Sequence, residues 1–209
     1  MTTSCEFGIP GVRLTERDHI CAFYRGPQQR DEILVPYLSA GLQAGDMCIC
    51  VVDGTTPQAV LAALGDEADV NRWVEREQLE VRTSDDAYLS TGRFVPDEML
   101  AFWEGLVGRA LGVGGFHFAR AVGEMTWALR EAPGVEHLVS YESELNRYLR
   151  RYPQVLLCLY DLDQFTGDIV IDLLKTHPRV LLSGMVLDNP YYLEPDEFLA
   201  MRSLAVSGQ

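Results

Sequence analysis

Ile20-Cys21-Ala22-Phe23-Tyr24-Arg25-Gly26-Pro27, with Met47-Cys48-Ile49-Cys50-Val51-Val52 further along, decides the fold class. Both apolar runs are short and unbroken, the pattern of a strand buried on both faces. Arg25-Gly26-Pro27 turns the chain into a helix predicted over 28–42, whose Ile33, Leu34, Tyr37, Leu38 and Leu42 recur at helical spacing. Pro36 inside that stretch implies either a kink or a late start. Gly45-Asp46 ends the helix, and 47–52 is the next strand. Strand, helix, strand at this spacing implies a right-handed crossover and parallel pairing.

The same unit recurs outward. Thr56-Pro57 opens a short helix over 58–64, and a polar helical stretch near 71–77 leads to a strand at 79–82. Pro96-Asp97-Glu98 begins a helix carrying Leu100, Trp103, Val107 and Leu111, broken by Gly112–Gly115 before a strand at 116–122. A helix over 136–150, a strand at 155–160, a helix over 165–174 and strands at 180–182 and 185–187 follow, with a short helix at 196–204. Residues 1–17 read as a flexible leader and 18–209 as a single domain. The class is α/β, three-layered, with a mostly parallel sheet and helices on both faces.

Seventeen basic residues against 31 acidic ones give a formal charge of −14. Phosphate binding relies on a basic footprint, so nucleic acid is excluded as a direct partner and an anionic membrane surface is disfavoured. The one lysine is Lys175, and no Gly-Lys-Ser/Thr triplet occurs to reach terminal phosphates, which excludes ordinary nucleotide-triphosphate hydrolysis. Five cysteines without a Cys-x-x-Cys suit reduced thiols in a cytoplasm, most of them as core residues. No signal-peptide pattern opens the sequence, and no apolar run approaches the roughly 20 residues of a membrane helix.

Ligands of open parallel sheets bind beyond the carboxyl ends of the strands. Those ends here offer Phe23, Tyr24 and Arg25, then Asp53, then Gly123-Glu124-Met125-Thr126-Trp127, then Tyr160-Asp161-Leu162-Asp163, then Asp188. Asp53, Asp163 and Asp188 serve equally well as helix caps and turn residues. Glu124 is a poor turn former set among apolar residues, so its carboxyl needs a raised pKa or a partner. Tyr141 lies on the apolar face of its helix with Glu142 at the edge, where a core tyrosine beside a solvated glutamate is the plain alternative. Asp161 orients a histidine, takes a ligand hydroxyl or caps the next helix. His19-x-Cys21 and Cys48-x-Cys50 each place two donors on one strand face, with Glu124, Asp161 and His177 able to join. No pair matches a recognised zinc spacing, so neither metal nor cofactor is expected. No serine nucleophile elbow occurs either.

Several segments together resemble the MEDS sensory domain of regulators in methanogens and methylotrophs. They are His19-Ile20-Cys21-Ala22-Phe23-Tyr24, Arg30-Asp31, Leu34-x-Pro36-Tyr37-Leu38-x-x-Gly41-Leu42-x-x-Gly45 and Arg120-x-x-Gly123-Glu124-Met125-x-Trp127-Ala128-Leu129. Tyr141-Glu142, Cys158-x-Tyr160-Asp161, His177-Pro178 and Asn189-x-x-Tyr192 complete the set. The resemblance implies a RecA-like scaffold of the P-loop NTPase kind, similar to circadian-clock ATPases but lacking the Walker A motif. It implies a cytoplasmic, non-catalytic sensor of small organic, hydrocarbon-derived molecules in bacterial or archaeal signal transduction and transcription regulation. Its characteristic positions fall on His19, Tyr24, Glu124, Trp127, Tyr141, Glu142, Tyr160, Asp161 and His177.

The expected pocket lies at the strand carboxyl ends, lined by Phe23, Tyr24, Trp127 and Tyr160, with Glu124 and Asp161 as polar contacts and Arg25 or Arg30 for an anionic group. His177 precedes its strand, so sheet polarity sets it away from Asp161. Family members often carry a helix-turn-helix or kinase module, for which this sequence has no room, so output is expected to pass to a protein partner. Two alternatives stand beside the sensor. One is an acid/base or metal-dependent enzyme using Glu124 with His19 or Asp161, and the other is an inactive RecA-like module that self-assembles into a homo-oligomer.

Overall fold

The computed structural model describes residues 4–207. β1 (Ser4–Glu6) and β2 (Arg13–Thr15) form an antiparallel pair. β3 (His19–Tyr24) passes through the single residue Arg25 into α1 (Gly26–Ala44), and β4 (Met47–Val52) follows. α2 (Pro57–Leu64), α3 (Glu67–Glu75) and β5 (Leu79–Thr83) lead to α4 (Pro96–Gly112) and β6 (Ala119–Glu124). A 3-10 turn over Thr126–Arg130 precedes α5 (Leu138–Leu149), β7 (Gln154–Asp161) and α6 (Gly167–Thr176). β8 (Arg179–Leu182), β9 (Met185–Asp188) and α7 (Pro195–Ser207) complete the order.

The main sheet runs β5-β4-β6-β7-β3-β8-β9, parallel throughout except for the β8–β9 hairpin. Strand side chains alternate between faces, and this alternation divides the interior in two. Cys21, Phe23, Ile49, Val51, Ala121, Leu156, Cys158 and Tyr160 face α4, α5 and α6 through Trp103, Tyr141 and Leu173. Ile20, Ala22, Tyr24, Cys48, Cys50, Val122, Val155, Leu157 and Leu159 face α1, α2 and α3 through Leu34, Tyr37, Val60 and Val70. Which face a residue occupies therefore decides its company.

α1 neither kinks apart nor starts late. It runs unbroken through Pro36, with Pro27 in its first turn and Gly45 as the left-handed cap at φ 83°. The strand expected at 116–122 begins instead at Ala119, where the register pairs it with Met47 of β4 and Gln154 of β7. Phe116 and Phe118 extend the apolar run in sequence but have no strand to pair with there. The shift makes Glu124 the last residue of β6, with its side chain on the α1 face beside Val122.

The leader is also corrected. Residues 1–3 lie outside the described residues, but from Ser4 onward the segment is ordered and packed. Phe7 and Leu14 are fully buried, and the Phe7 ring packs 5.2 Å from that of Tyr37. Arg120, buried in β6, ties the segment down: its guanidinium donates to the Glu6 carbonyl at 2.8 Å and to Asp46 Oδ2 at 2.7 Å. A buried guanidinium must be paired, and here the pairing joins β6, the α1–β4 turn and β1. Phe7→Ala is expected to cost about 3 kcal/mol of stability in urea denaturation. A loose leader would leave the transition unchanged.

Candidate functional site

The two faces each bury a polar constellation. On the α1 face, Glu124 closes the carboxyl edge of the sheet. Its Oε2 accepts the backbone N–H groups of Asp53 and Gly54 at 2.8 and 2.9 Å, and its Oε1 accepts the Tyr24 hydroxyl at 3.2 Å. The Arg30 guanidinium stands 3.4 Å from Oε1. Burial, and then the Glu124 charge, push the Tyr24 phenol well above its usual range, so Tyr24 stays protonated and donates. Gly54 fits because a Cβ there would lie 2.6 Å from Glu124 Oε1. The partner that the sequence demanded for Glu124 is thus a set of backbone and side-chain donors supplied by β3, α1 and the end of β4.

Asp53 and Asp161 organise their own turns. Asp53 accepts from Thr126 Oγ1 at 2.8 Å and from Ser84 and Arg130, joining β4, β5 and the turn after β6. Asp161 accepts from the Asp163 N–H at 3.0 Å and from Gln164 Nε2 at 2.8 Å. Arg25 is exposed and paired with Asp163.

On the other face, His19, Glu142, Cys158 and His177 meet beneath α5 and α6, all essentially without solvent contact. Glu142 Oε2 lies 3.2 Å from His19 Nε2 and 3.3 Å from His177 Nε2, while Tyr160 donates to Oε1 at 2.6 Å. Cys158 Sγ is 3.5 Å from His19 Nε2 and 3.6 Å from Glu142 Oε2. The four donor atoms all lie within 4.8 Å of one another. Burial lowers the His19 pKa to about 4, with the neighbouring His177 adding to the effect, so the ring is neutral at pH 7. Burial likewise raises the Cys158 thiol well above its ordinary value.

The pocket expected at the strand ends is therefore split. Glu124 shares a face with Tyr24 but with neither His19 nor Tyr160, while Phe23 and Tyr24, though on opposite faces, both reach the rim beyond β3. Trp127 is fully buried and stacks on Tyr88 at 4.6 Å, and Tyr141 accepts from Trp103 Nε1 at 2.8 Å within the same aromatic core. An enzyme pairing Glu124 with His19 is ruled out by the sheet standing between them. Asp161 is committed to its turn. Cys48 and Cys50 belong to the α1 face and cannot join His19. Glu142, read as an edge residue, is fully buried, because its carboxylate is turned to the sheet, where His19 of β3 and Cys158 and Tyr160 of β7 meet it together with His177. His177 is indeed away from Asp161, but at the amino-terminal end of β8 it meets His19 at the start of β3. Cys158 and Asn146 were missed as members of this cluster. Period-two alternation from Tyr160 and register with β3 was the available signal for Cys158, and nothing in the sequence marks Asn146.

Two surface clefts flank the sheet. One of about 500 Å³ lies beyond β3 and β8, lined by Phe23, Tyr24, Arg25, Ile33, Leu162 and Leu182 together with Gly8–Pro10 of the leader. The other, about 540 Å³, lies at the opposite end of the strands against Met47, Leu79, Leu106 and the exposed Val113.

The family described as MEthanogen/methylotroph, DcmR Sensory domain matches residues 18–178. The chain belongs to the MEDS family. A curated relative, the transcriptional repressor DcmR of Methylorubrum extorquens (strain DSM 6343 / CIP 106787 / DM4), is 32% identical over 173 residues. That match covers 81% of this MEDS chain and 61% of the repressor, so the chain spans less than two thirds of that relative's length. Among solved structures, a KaiC-like protein from Pyrococcus horikoshii OT3 matches with a TM-score of 0.62 at 12% identity, over 86% of this chain and 80% of that one. The flagellar accessory protein FlaH from Methanocaldococcus jannaschii matches with a TM-score of 0.56 at 9% identity, over 82% and 75%. The MEDS scaffold is thus RecA-like. No helix of the described residues is long and apolar enough to cross a membrane.

Glu124→Gln removes the charge that four donors converge on, and is expected to cost about 2 kcal/mol in chemical denaturation while leaving the fold intact. Gly54→Ala, which crowds the same oxygen, is expected to lower stability as well. The double variant should lose less than the sum of the two, since both act on one contact.

Proposed function

We propose that this chain is a non-catalytic, cytoplasmic sensory module in transcriptional signal transduction, and that it takes a small, largely apolar organic ligand in the cleft beyond β3 and β8. The observation that carries this reading is the cleft itself. Its volume of about 500 Å³ suits a small molecule. Phe23, Ile33, Leu162 and Leu182 give it apolar walls, and Tyr24 and Arg25 supply polar contacts. It also sits at the carboxyl ends of parallel strands, where ligands of such sheets are bound.

Tyr24 gives binding a route inward. A ligand resting on the Tyr24 ring bears on the hydroxyl that donates to Glu124, and Glu124 holds the backbone at Asp53–Gly54. Asp53 in turn holds the segment after β6. Occupancy of the cleft would therefore be felt at three strand ends.

The nucleotide chemistry of RecA-like relatives is not carried over. Arg25-Gly26-Pro27 stands between β3 and the body of α1, and the single Lys175 is on α6. The repressor relative supports a regulatory role, and the net charge of −14 disfavours direct contact of this module with DNA, so output is assigned to a protein partner. Self-association is one form that partner can take.

Thermal melts against short-chain alcohols, halomethanes and small carboxylates test the reading. A ligand at 100-fold excess over its Kd is expected to raise Tm by about 5–10 °C. Leu182→Arg, which fills the cleft from a half-exposed position, should abolish the shift, whereas Val113→Arg in the opposite cleft should keep it. No saturable shift across the panel, or a shift that survives Leu182→Arg, contradicts the assignment. ATP with magnesium is expected to give neither stabilisation nor phosphate release.

A further inference from the structure

We infer that His19, Glu142, Cys158 and His177 form a closed tetrahedral site for a divalent transition-metal ion, zinc in the first instance. The argument begins with the ring protons. Asn146 Nδ2 donates to the carbonyls of Thr176, Ser143 and Glu142 at 2.7, 3.2 and 3.3 Å, which fixes its Oδ1 as the acceptor facing His19 Nδ1 at 3.1 Å. His19 therefore carries its proton on Nδ1. His177 Nδ1 lies 2.8 Å from the Leu173 carbonyl, an acceptor only, so it too is the protonated nitrogen. With Nδ1 protonated, each ring in its neutral form turns a bare Nε2 lone pair toward Glu142 Oε2.

Lone pairs facing a carboxylate oxygen at 3.2 and 3.3 Å cannot hydrogen-bond to it. His177 Nε2, fully buried, makes no hydrogen bond among the described residues. Nδ1–H held by an acceptor with Nε2 turned toward the other donors is the arrangement of metal-binding histidines, here with His177 Nε2 unpartnered and His19 Nε2 facing the Cys158 thiol. Tyr160 donating to Glu142 Oε1 is the matching support for a monodentate carboxylate.

Distance and charge agree with this. A tetrahedral zinc with bonds of about 2.0–2.3 Å spaces nitrogen, oxygen and sulfur ligands about 3.3–3.6 Å apart. Four of the six separations between donor atoms are 3.2, 3.3, 3.5 and 3.6 Å, and all six lie within 4.8 Å. A dication with one thiolate, one carboxylate and two neutral imidazoles sums to zero, which burial requires. Binding releases the Cys158 proton to solvent, because a metal-bound thiol is deprotonated. Four protein ligands fill the tetrahedron and leave no open position, so the site is structural. It staples β3 to α5, β7 and the α6–β8 junction, elements that lie more than 100 residues further along the chain.

The test uses the whole chain expressed with zinc, and separately in cobalt-enriched medium, then dialysed against a weak chelator. Stoichiometric zinc is expected, with an X-ray absorption shell of one sulfur and three lighter ligands. The cobalt form should show intense visible bands and a near-ultraviolet thiolate band. Cys158→Ser should lose the thiolate band, His177→Gln should lower metal retention at least tenfold, and Cys50→Ser on the opposite face should change neither. A folded wild-type chain that retains neither metal, a shell without sulfur, or a thiolate band that survives Cys158→Ser overturns the inference. The wild-type spectra decide it even where a variant fails to fold, and none of these readouts depends on ligand binding in the cleft.

Discussion

A carboxylate sealed from water must be satisfied by whatever the fold places around it, and Glu142 sets that requirement at the centre of this molecule. Its surroundings come from four places: the first residue of β3, the middle of β7, the α6–β8 junction and its own helix. Desolvation makes an unpaired charge there cost several kcal/mol; Tyr160 donates to Oε1, while Oε2 faces the two imidazole nitrogens and the Cys158 thiol. Asn146, one turn along α5, orients His19 and also binds the carbonyl of Thr176, so a single amide links three of the contributing elements.

The opposite face repeats the logic with different chemistry. Glu124 is met by backbone N–H groups, a phenol and a guanidinium, all at the carboxyl edge. The two carboxylates divide the work along the strands. Glu142 anchors the amino-terminal half of β3 on one side, and Glu124 ties its carboxyl end on the other. The β3–α1 junction is bounded by Tyr24, Arg25 and Gly8–Pro10, which line the cleft beyond β3 and β8.

Much of the frame was legible because buried parallel strands are continuous apolar runs. The strand at 47–52 coincides with β4, and the helix from Pro96 coincides with the start of α4. Parity was the weak point. Placing the strand before Glu124 three residues early put Glu124 outside the sheet and made it available to any pocket, whereas inside β6 it is confined to one face. Glu142 misled for a related reason. Helical periodicity gives the apolar face that meets the sheet, but it does not encode the polar partners on β3 and β7 that admit Glu142 to it. His19, Cys158 and His177 come from separate strands and a junction, so no sequence spacing joins them, and only the strand order brings them together.

The orientation of the two imidazoles is the point on which this account rests, and long-range proton–nitrogen correlation spectra of the histidine rings read it directly. For His19 and His177 at neutral pH the expected result is a proton on Nδ1 and none on Nε2 in both rings. An Nε2–H signal from either ring would contradict the convergence of lone pairs on Glu142.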